Sequence, residues 1–174
     1  GMGGLGKTTV ARVVYDRIRW QFEGSCFLAN VREVFAREDG PSRLQEQLNF
    51  EILMERPSVW DSYRGIEMIK RRLRLKKILL ILDDVDDKEQ LEFLAKETRW
   101  FGPGSRIIIT SRDKQVLTRN GVARIYEAEK LNDDDALTLF SQKAFKNDQL
   151  AEDFVELTKQ VVGYANGLPL ALKV

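Results

Sequence analysis

Histidine is absent from the 174 residues, which removes imidazole from any acid–base or metal-binding scheme built within them. The single cysteine, Cys26, sits in the apolar stretch SCFLANV, so there is no disulfide framework and a buried, reduced thiol is expected. No window approaches the roughly 18 uninterrupted apolar residues of a membrane-spanning helix. An excess of one charge is lacking too. With 28 basic against 27 acidic residues the formal net charge is +1, which gives no overall electrostatic case for nucleic acid or an anionic membrane as the main partner. Neither an internal repeat nor a low-complexity run is evident, which argues against a solenoid. What is there, 43% hydrophobic and 32% charged residues, suffices for one compact domain, or one domain and part of another.

The chain opens GMGGLGKTTVARVVYDRI, in which Gly1, four residues, then Gly6, Lys7 and Thr8 satisfy G-x-x-x-x-G-K-[ST], the Walker A pattern of a phosphate-binding loop. Phosphate oxygens need donors close by on several sides. Gly1, Gly3, Gly4 and Gly6 let the backbone curl its amides inward without side-chain obstruction. Lys7 supplies a cation for the β- and γ-phosphates, Thr8 a hydroxyl for Mg²⁺, and Thr9 a contact to the α-phosphate, while the helix starting near Lys7 points its positive end at the anion. A glycine-rich turn capping an ordinary helix is the plain alternative. Such a loop normally follows a buried strand, and here nothing precedes Gly1, so the first strand is expected to be missing. GYANGLPLALKV stops in what reads as a new helix after Pro169, so the chain reads as cut at both ends.

Further along, helical and strand signals alternate. Val10, Val13, Val14 and Ile18 follow helix spacing, GSCFLANV reads as a short buried strand, and helices are expected from Pro41 and over 62–75. KKILLILDDVDD sets an unbroken apolar run before paired carboxylates, as a strand buried on both faces of a parallel sheet would. GSRIIITSRD repeats the logic, and ARIYEAEKL reads as a weaker strand. From Asn132 onward only helices are expected, NDDDALTLFSQKAF with an N-cap and acidic first turn, and AEDFVELTKQVVGYANG ending on Gly167. A domain boundary is expected near Lys130, giving a nucleotide-binding domain over 1–130 and a helical one over 131–174.

Strand ends converge on one edge of a parallel sheet, so Asp83 and Asp84 are expected beside the phosphate loop in Walker B fashion. Asp83 would hold Mg²⁺ through water, and Asp84 would orient or deprotonate an attacking water. Asp86 and Asp87 read as a helix N-terminus instead. Arg112, at the end of another strand, is a candidate sensor of the γ-phosphate, against the plainer reading of an arginine paired with Asp113 or a neighbouring carboxylate. The basic run KRRLRLKK reads as the solvated face of a helix, with Leu73 and Leu75 as packing residues.

The blocks GMGGLGKTT, CFLANVREV, ILLILDDVDD, GSRIIITSRD, YEAEKLNDDDALTLFSQKAF and GLPLALKV, in this order over essentially the whole chain, resemble the NB-ARC domain of plant nucleotide-binding, leucine-rich-repeat disease resistance proteins. Asp86 and FLANVREV resemble the subclass with an N-terminal TIR domain. The resemblance implies an α/β P-loop NTPase fold, a three-layer parallel sheet lacking its first strand, followed by the start of a small helical ARC1-like domain. It also implies an ADP/ATP switch with Mg²⁺: ADP in a closed resting state, ATP in an open one, with slow hydrolysis by way of Lys7 and Asp84. Pro169 would pack at the adenine and ribose side, which suits a residue with fixed φ and no amide donor. The implied setting is cytoplasmic and also nuclear, beside a TIR domain and leucine-rich repeats in cis, with self-association on activation and no direct nucleic acid or membrane binding. A turnover ATPase of the AAA type and a non-cycling interaction module are the alternatives.

Overall fold

The computed structural model describes residues 3–54, 59, 61–144 and 155–172. The chain divides into two compact units, Thr8–Ile125 and Gly1–Lys7 with Tyr126–Val174.

The larger unit is built on three parallel strands in the order β1 (Gly24–Leu28), β2 (Ile78–Val85), β3 (Arg106–Ser111). Gly24–Leu28 pair in register with Ile78–Leu82, and Leu79–Leu82 with Arg106–Ile109. The apolar run Ile78–Leu82 is solvent-free at every position, because both of its faces are covered. Ile78, Leu80 and Leu82 join Cys26 and Leu28 in a core with α3 (Gly40–Leu53), α4 (Ser62–Leu73) and α5 (Lys88–Leu94). Leu79 and Ile81 turn the other way and pack with Phe27 on α1 (Lys7–Ile18). Alternation along one strand therefore builds an α/β/α three-layer sandwich, the P-loop NTPase type of fold expected from the pattern. Each fully buried Leu or Ile in such a strand contributes about 1.5–3 kcal/mol.

Three expectations are corrected. The buried stripe of α1 is Ala11 and Tyr15, with Val14 and Ile18 half-buried, whereas Val10 and Val13 are 52% and 45% exposed. The helical spacing is right, but the stripe is rotated, because Tyr15 is drawn inward to donate its hydroxyl to Ser25 Oγ at 3.2 Å and to meet Phe27 edge-on. ARIYEAEKL forms no strand; Tyr126 is exposed and only Ile125, Ala128 and Leu131 are half-buried, a spacing that puts too little apolar surface on one face to hold a ladder. Leu75 does not pack: α4 ends at Leu73, and Leu75 projects into solvent beyond it. The basic run is a solvated face in which Lys70 also lies over the Trp100 ring, 5.1 Å from its centroid.

Between β1 and α3 lies α2 (Val31–Phe35), entered through Asn30 in the left-handed region at φ 51°. The two helices touch at Gly40, where a Cβ would lie 1.9 Å from the Val34 carbonyl oxygen and 2.8 Å from its carbon. Both obstacles are backbone, so no rotamer relieves them. Gly40→Ala is expected to cost about 2 kcal/mol, read as a lower denaturant midpoint at unchanged slope. An unchanged midpoint would show that α2 moves aside freely.

The smaller unit packs α7 (Asp133–Ala144), α8 (Val155–Ala165) and a 3₁₀ turn, Pro169–Leu172, around Ala136, Phe140, Val162, Ala165 and Leu172. Asn132 Oδ1 accepts from Asp135 N at 2.8 Å, satisfying an orphan donor of α7 as an N-cap does.

Candidate functional site

The carboxyl edge of the sheet gathers side chains from three consecutive strand ends. Asp83, only 1% exposed, accepts at Oδ1 from Thr8 Oγ1 at 2.8 Å and from Thr110 Oγ1 at 2.7 Å. The Thr110 hydroxyl, having donated to Asp83, accepts the Asp84 backbone N–H at 2.9 Å. A directed relay thus runs from the Asp84 amide through Thr110 to the Asp83 carboxylate. Thr8 lies in the first turn of α1, immediately after Lys7, so the helix that follows the glycine-rich loop is tied to the end of β2.

The relay depends on an irregularity in β2. Pairing with β3 shifts between Leu82 and Val85, and Asp84 sits at φ 60°. A left-handed residue breaks the strict alternation of a strand and re-aims the side chains on either side. Asp83 turns inward to the hydroxyls, and Asp84 keeps its carboxylate 17% exposed at the edge. There Asp84 Oδ1 takes Arg112 Nε at 3.0 Å and Oδ2 takes an Arg32 terminal nitrogen, also at 3.0 Å. One carboxylate is held between two guanidiniums, from β1's exit through α2 and from β3's exit.

Asp86 and Asp87 are structural, as expected. Asp87 caps α5 by accepting from Glu89 N at 2.7 Å, and Gln90 closes a capping box, its amide also bound to Asp86 Oδ1 at 2.7 Å.

In the smaller unit, residues 3–6 form turns and bends with Gly4 at φ 80° and Gly6 at φ 78°. Gly1 lies outside the described residues. Gly4 O accepts from Leu170 N at 3.2 Å, and a Cβ on Gly4 would stand 3.0 Å from Leu170 Cβ and 3.4 Å from Leu168 Cδ1. The loop backbone and the residues flanking Pro169 are therefore in contact. Lys7 opens α1, whose first turn carries no acidic residue. Thr9 is exposed on the same turn.

A hydroxyl beside a carboxylate, as in Thr8 and Asp83, is an oxygen donor set suited to a hard divalent cation. Among the described residues no three His, Cys, Asp or Glu side chains cluster. One or two protein oxygens with phosphate and water completing the shell is the usual pattern for Mg²⁺, and these residues fit it. Cys26 has no part in such chemistry: it is free and fully buried, and burial, with Glu51 adding to it, pushes its thiol well above its ordinary value.

Sequence reasoning anticipated Thr8, Asp83, Asp84 and Arg112 but not Thr110 or Arg32. Thr110 had a legible signal, a hydroxyl at the end of IIITS in step with the carboxylates of the neighbouring strand. Arg32 had none, since its role depends on where α2 lies.

Residues 1–150 match the family model described as the NB-ARC domain. The chain is 44% identical over 181 residues to TMV resistance protein N of Nicotiana glutinosa and 46% over 176 residues to disease resistance protein RUN1 of Vitis rotundifolia. It is 45% identical over 176 residues to disease resistance-like protein DSC1 of Arabidopsis thaliana. Each match covers 100% of this chain but only 15%, 13% and 14% of the respective relative. No described helix is long and apolar enough to cross a membrane.

Proposed function

The chain belongs to the NB-ARC family, and from that premise we propose that it is the adenine-nucleotide switch of a plant disease resistance receptor. The observation that carries this reading is the buried Asp83 carboxylate joined to the Thr8 hydroxyl, one residue after the loop lysine. In this reading Gly1, Gly3, Gly4 and Gly6 present backbone donors to phosphate, Lys7 neutralises the β- and γ-phosphates, and Thr9 reaches the α-phosphate. Thr8 and Asp83 would hold Mg²⁺, which would supply positive charge to offset that of the phosphates. Pro169, beside the Gly4 contact, supplies a rigid apolar surface for the nucleoside. The segment 131–174 acts as the opening of an ARC1-like helical domain.

ADP holds the resting state and ATP the active one. Moving a population from 1:99 to 99:1 requires about 5.5 kcal/mol of differential binding, which must come from groups that respond to the γ-phosphate. Arg112 is the best placed of these by chemistry, since its guanidinium already engages a carboxylate and the same planar fork pairs with phosphate. Asp84, with a guanidinium on each of its oxygens, orients a water through its remaining lone pairs, and hydrolysis is slow. The parent protein in this reading carries a TIR domain and leucine-rich repeats, works in the cytoplasm and self-associates on activation.

The test is the nucleotide released by acid from the purified full-length parent. Near-stoichiometric ADP is expected. A folded but empty protein, or sustained turnover at about 1 per second or faster, would replace the switch with an AAA-type ATPase or a non-cycling module.

A further inference from the structure

Arg32 is the least expected member of the strand-end cluster. Its guanidinium lies 3.0 Å from Asp84 Oδ2 while Arg112 holds Oδ1 at the same distance, and its side chain is 36% exposed against 52% for Arg112. The two arginines differ in how they are anchored. Arg112 stands at the open exit of β3, just before α6 (Lys114–Arg119). Arg32 belongs to α2, a helix that packs through Val31 into the core and abuts α3 at Gly40. Arg32 is thus the fixed partner and Arg112 the exchangeable one.

We propose that Arg32 is a positioning residue that sets the ATP-over-ADP preference of the switch by competing with Arg112 for Asp84. This rests on the switch reading above. Two like charges on one carboxylate repel each other, and each weakens the other's hold. With Arg32 in place, Asp84 retains a counter-charge when Arg112 turns to a terminal phosphate, so neither the carboxylate nor the arginine is left unpaired. Without Arg32, departure of Arg112 strips a largely buried carboxylate of its last guanidinium, a cost that a ligand lacking the γ-phosphate never meets. Arg32 therefore lowers the threshold for the ATP state without touching nucleotide, and all of its effect passes through Asp84.

The experiment measures ATP and ADP dissociation constants in Mg²⁺ for the full-length parent and for R32A, R32K, R112A and the pairs R32A/D84N and D84N alone. R32A is expected to weaken ATP relative to ADP by roughly fivefold to tenfold, within the usual span of coupling between sites. R32K restores at least half of that ratio by returning the charge, and in the D84N background the R32A effect falls below twofold. If R32A leaves the ratio unchanged while R112A lowers it, the Arg32 proposal is overturned and the switch reading stands. If R112A also leaves it unchanged, the sensor role fails and takes the proposal with it. A shift of the same size in R32A with and without D84N assigns Arg32 to ordinary packing and overturns the proposal. Should R32A unfold, R32Q, which keeps the stem and one amide donor, carries the same prediction, with the thermal transition of each variant as the folding control.

Discussion

Asp83→Asn is expected to lower Mg²⁺-dependent ATP affinity about a hundredfold, close to 2.7 kcal/mol, while leaving the protein folded. The asparagine oxygen can accept the same two hydroxyl bonds that Asp83 Oδ1 accepts from Thr8 and Thr110, so the geometry of the strand end survives. What disappears is the negative charge. Neutral acceptors bind hydroxyls more weakly, by about 1 kcal/mol, but a buried carboxylate also carries a desolvation penalty that the amide does not. The two offset each other in the stability of the protein. No such offset exists for a divalent cation, which loses an anionic ligand from a set of few protein oxygens. Titration of a fluorescent ATP analogue into the full-length parent, with and without Mg²⁺, separates the effects. Affinity in chelator should match the wild type, and a loss of less than threefold in Mg²⁺ would remove Asp83 from the metal site. Asp83→Ala is the contrasting variant: it strands the buried Thr110 hydroxyl, so its deficit would extend to folding.

Gly167→Ala is expected to cost the smaller unit about 3 kcal/mol, the largest stability effect among the glycines with positive φ. Gly167 sits at φ +69°, and a Cβ there would lie 2.3 Å from the Leu131 carbonyl oxygen. Its own carbonyl accepts from Leu131 N at 2.8 Å, so Leu131 cannot retreat from the added Cβ without giving up that hydrogen bond. The backbone conformation alone accounts for about 1 kcal/mol with any L side chain, and the clash supplies the rest. Gly121 provides the control. It has φ +66° but nothing within 4 Å of its Cβ direction, so Gly121→Ala should show only the conformational part. Hydrogen exchange at Leu131 and Leu170 should quicken in Gly167→Ala, because the turn after α8 also places Leu170 N against Gly4 O. Equal destabilisation by the two glycine variants would mean that the Leu131 contact yields without cost.

Much of the fold was readable because its signals are local. The unbroken run Ile78–Leu82 announced a strand covered on both faces, the spacing of Leu44, Leu48 and Ile52 announced a helix face, and Asp86 with Asp87 announced a helix N-terminus. Misreadings came where neighbours decide. Val10 and Val13 have helix spacing and still face outward, since the direction of an amphipathic face is fixed by what lies beneath it, here Ser25 and Phe27. The segment around Tyr126 alternates like a strand but has no edge to pair with among the described residues.

The sequence by itself determined the phosphate-loop spacing, the strand with its terminal carboxylates, and the family that this order of blocks identifies, because each is a matter of residue type at short separation. Tertiary structure alone decided how those carboxylates are used. Asp83 meets Thr8 across a separation of 75 residues and Thr110 across 27, and Asp84 meets Arg112 across 28. Such contacts follow from parallel register, from the left-handed turn at Asp84 and from the seat of α2 against Gly40. Local periodicity carries no record of which strand ends lie side by side, so Thr110 and Arg32 entered the site only when the sheet was assembled.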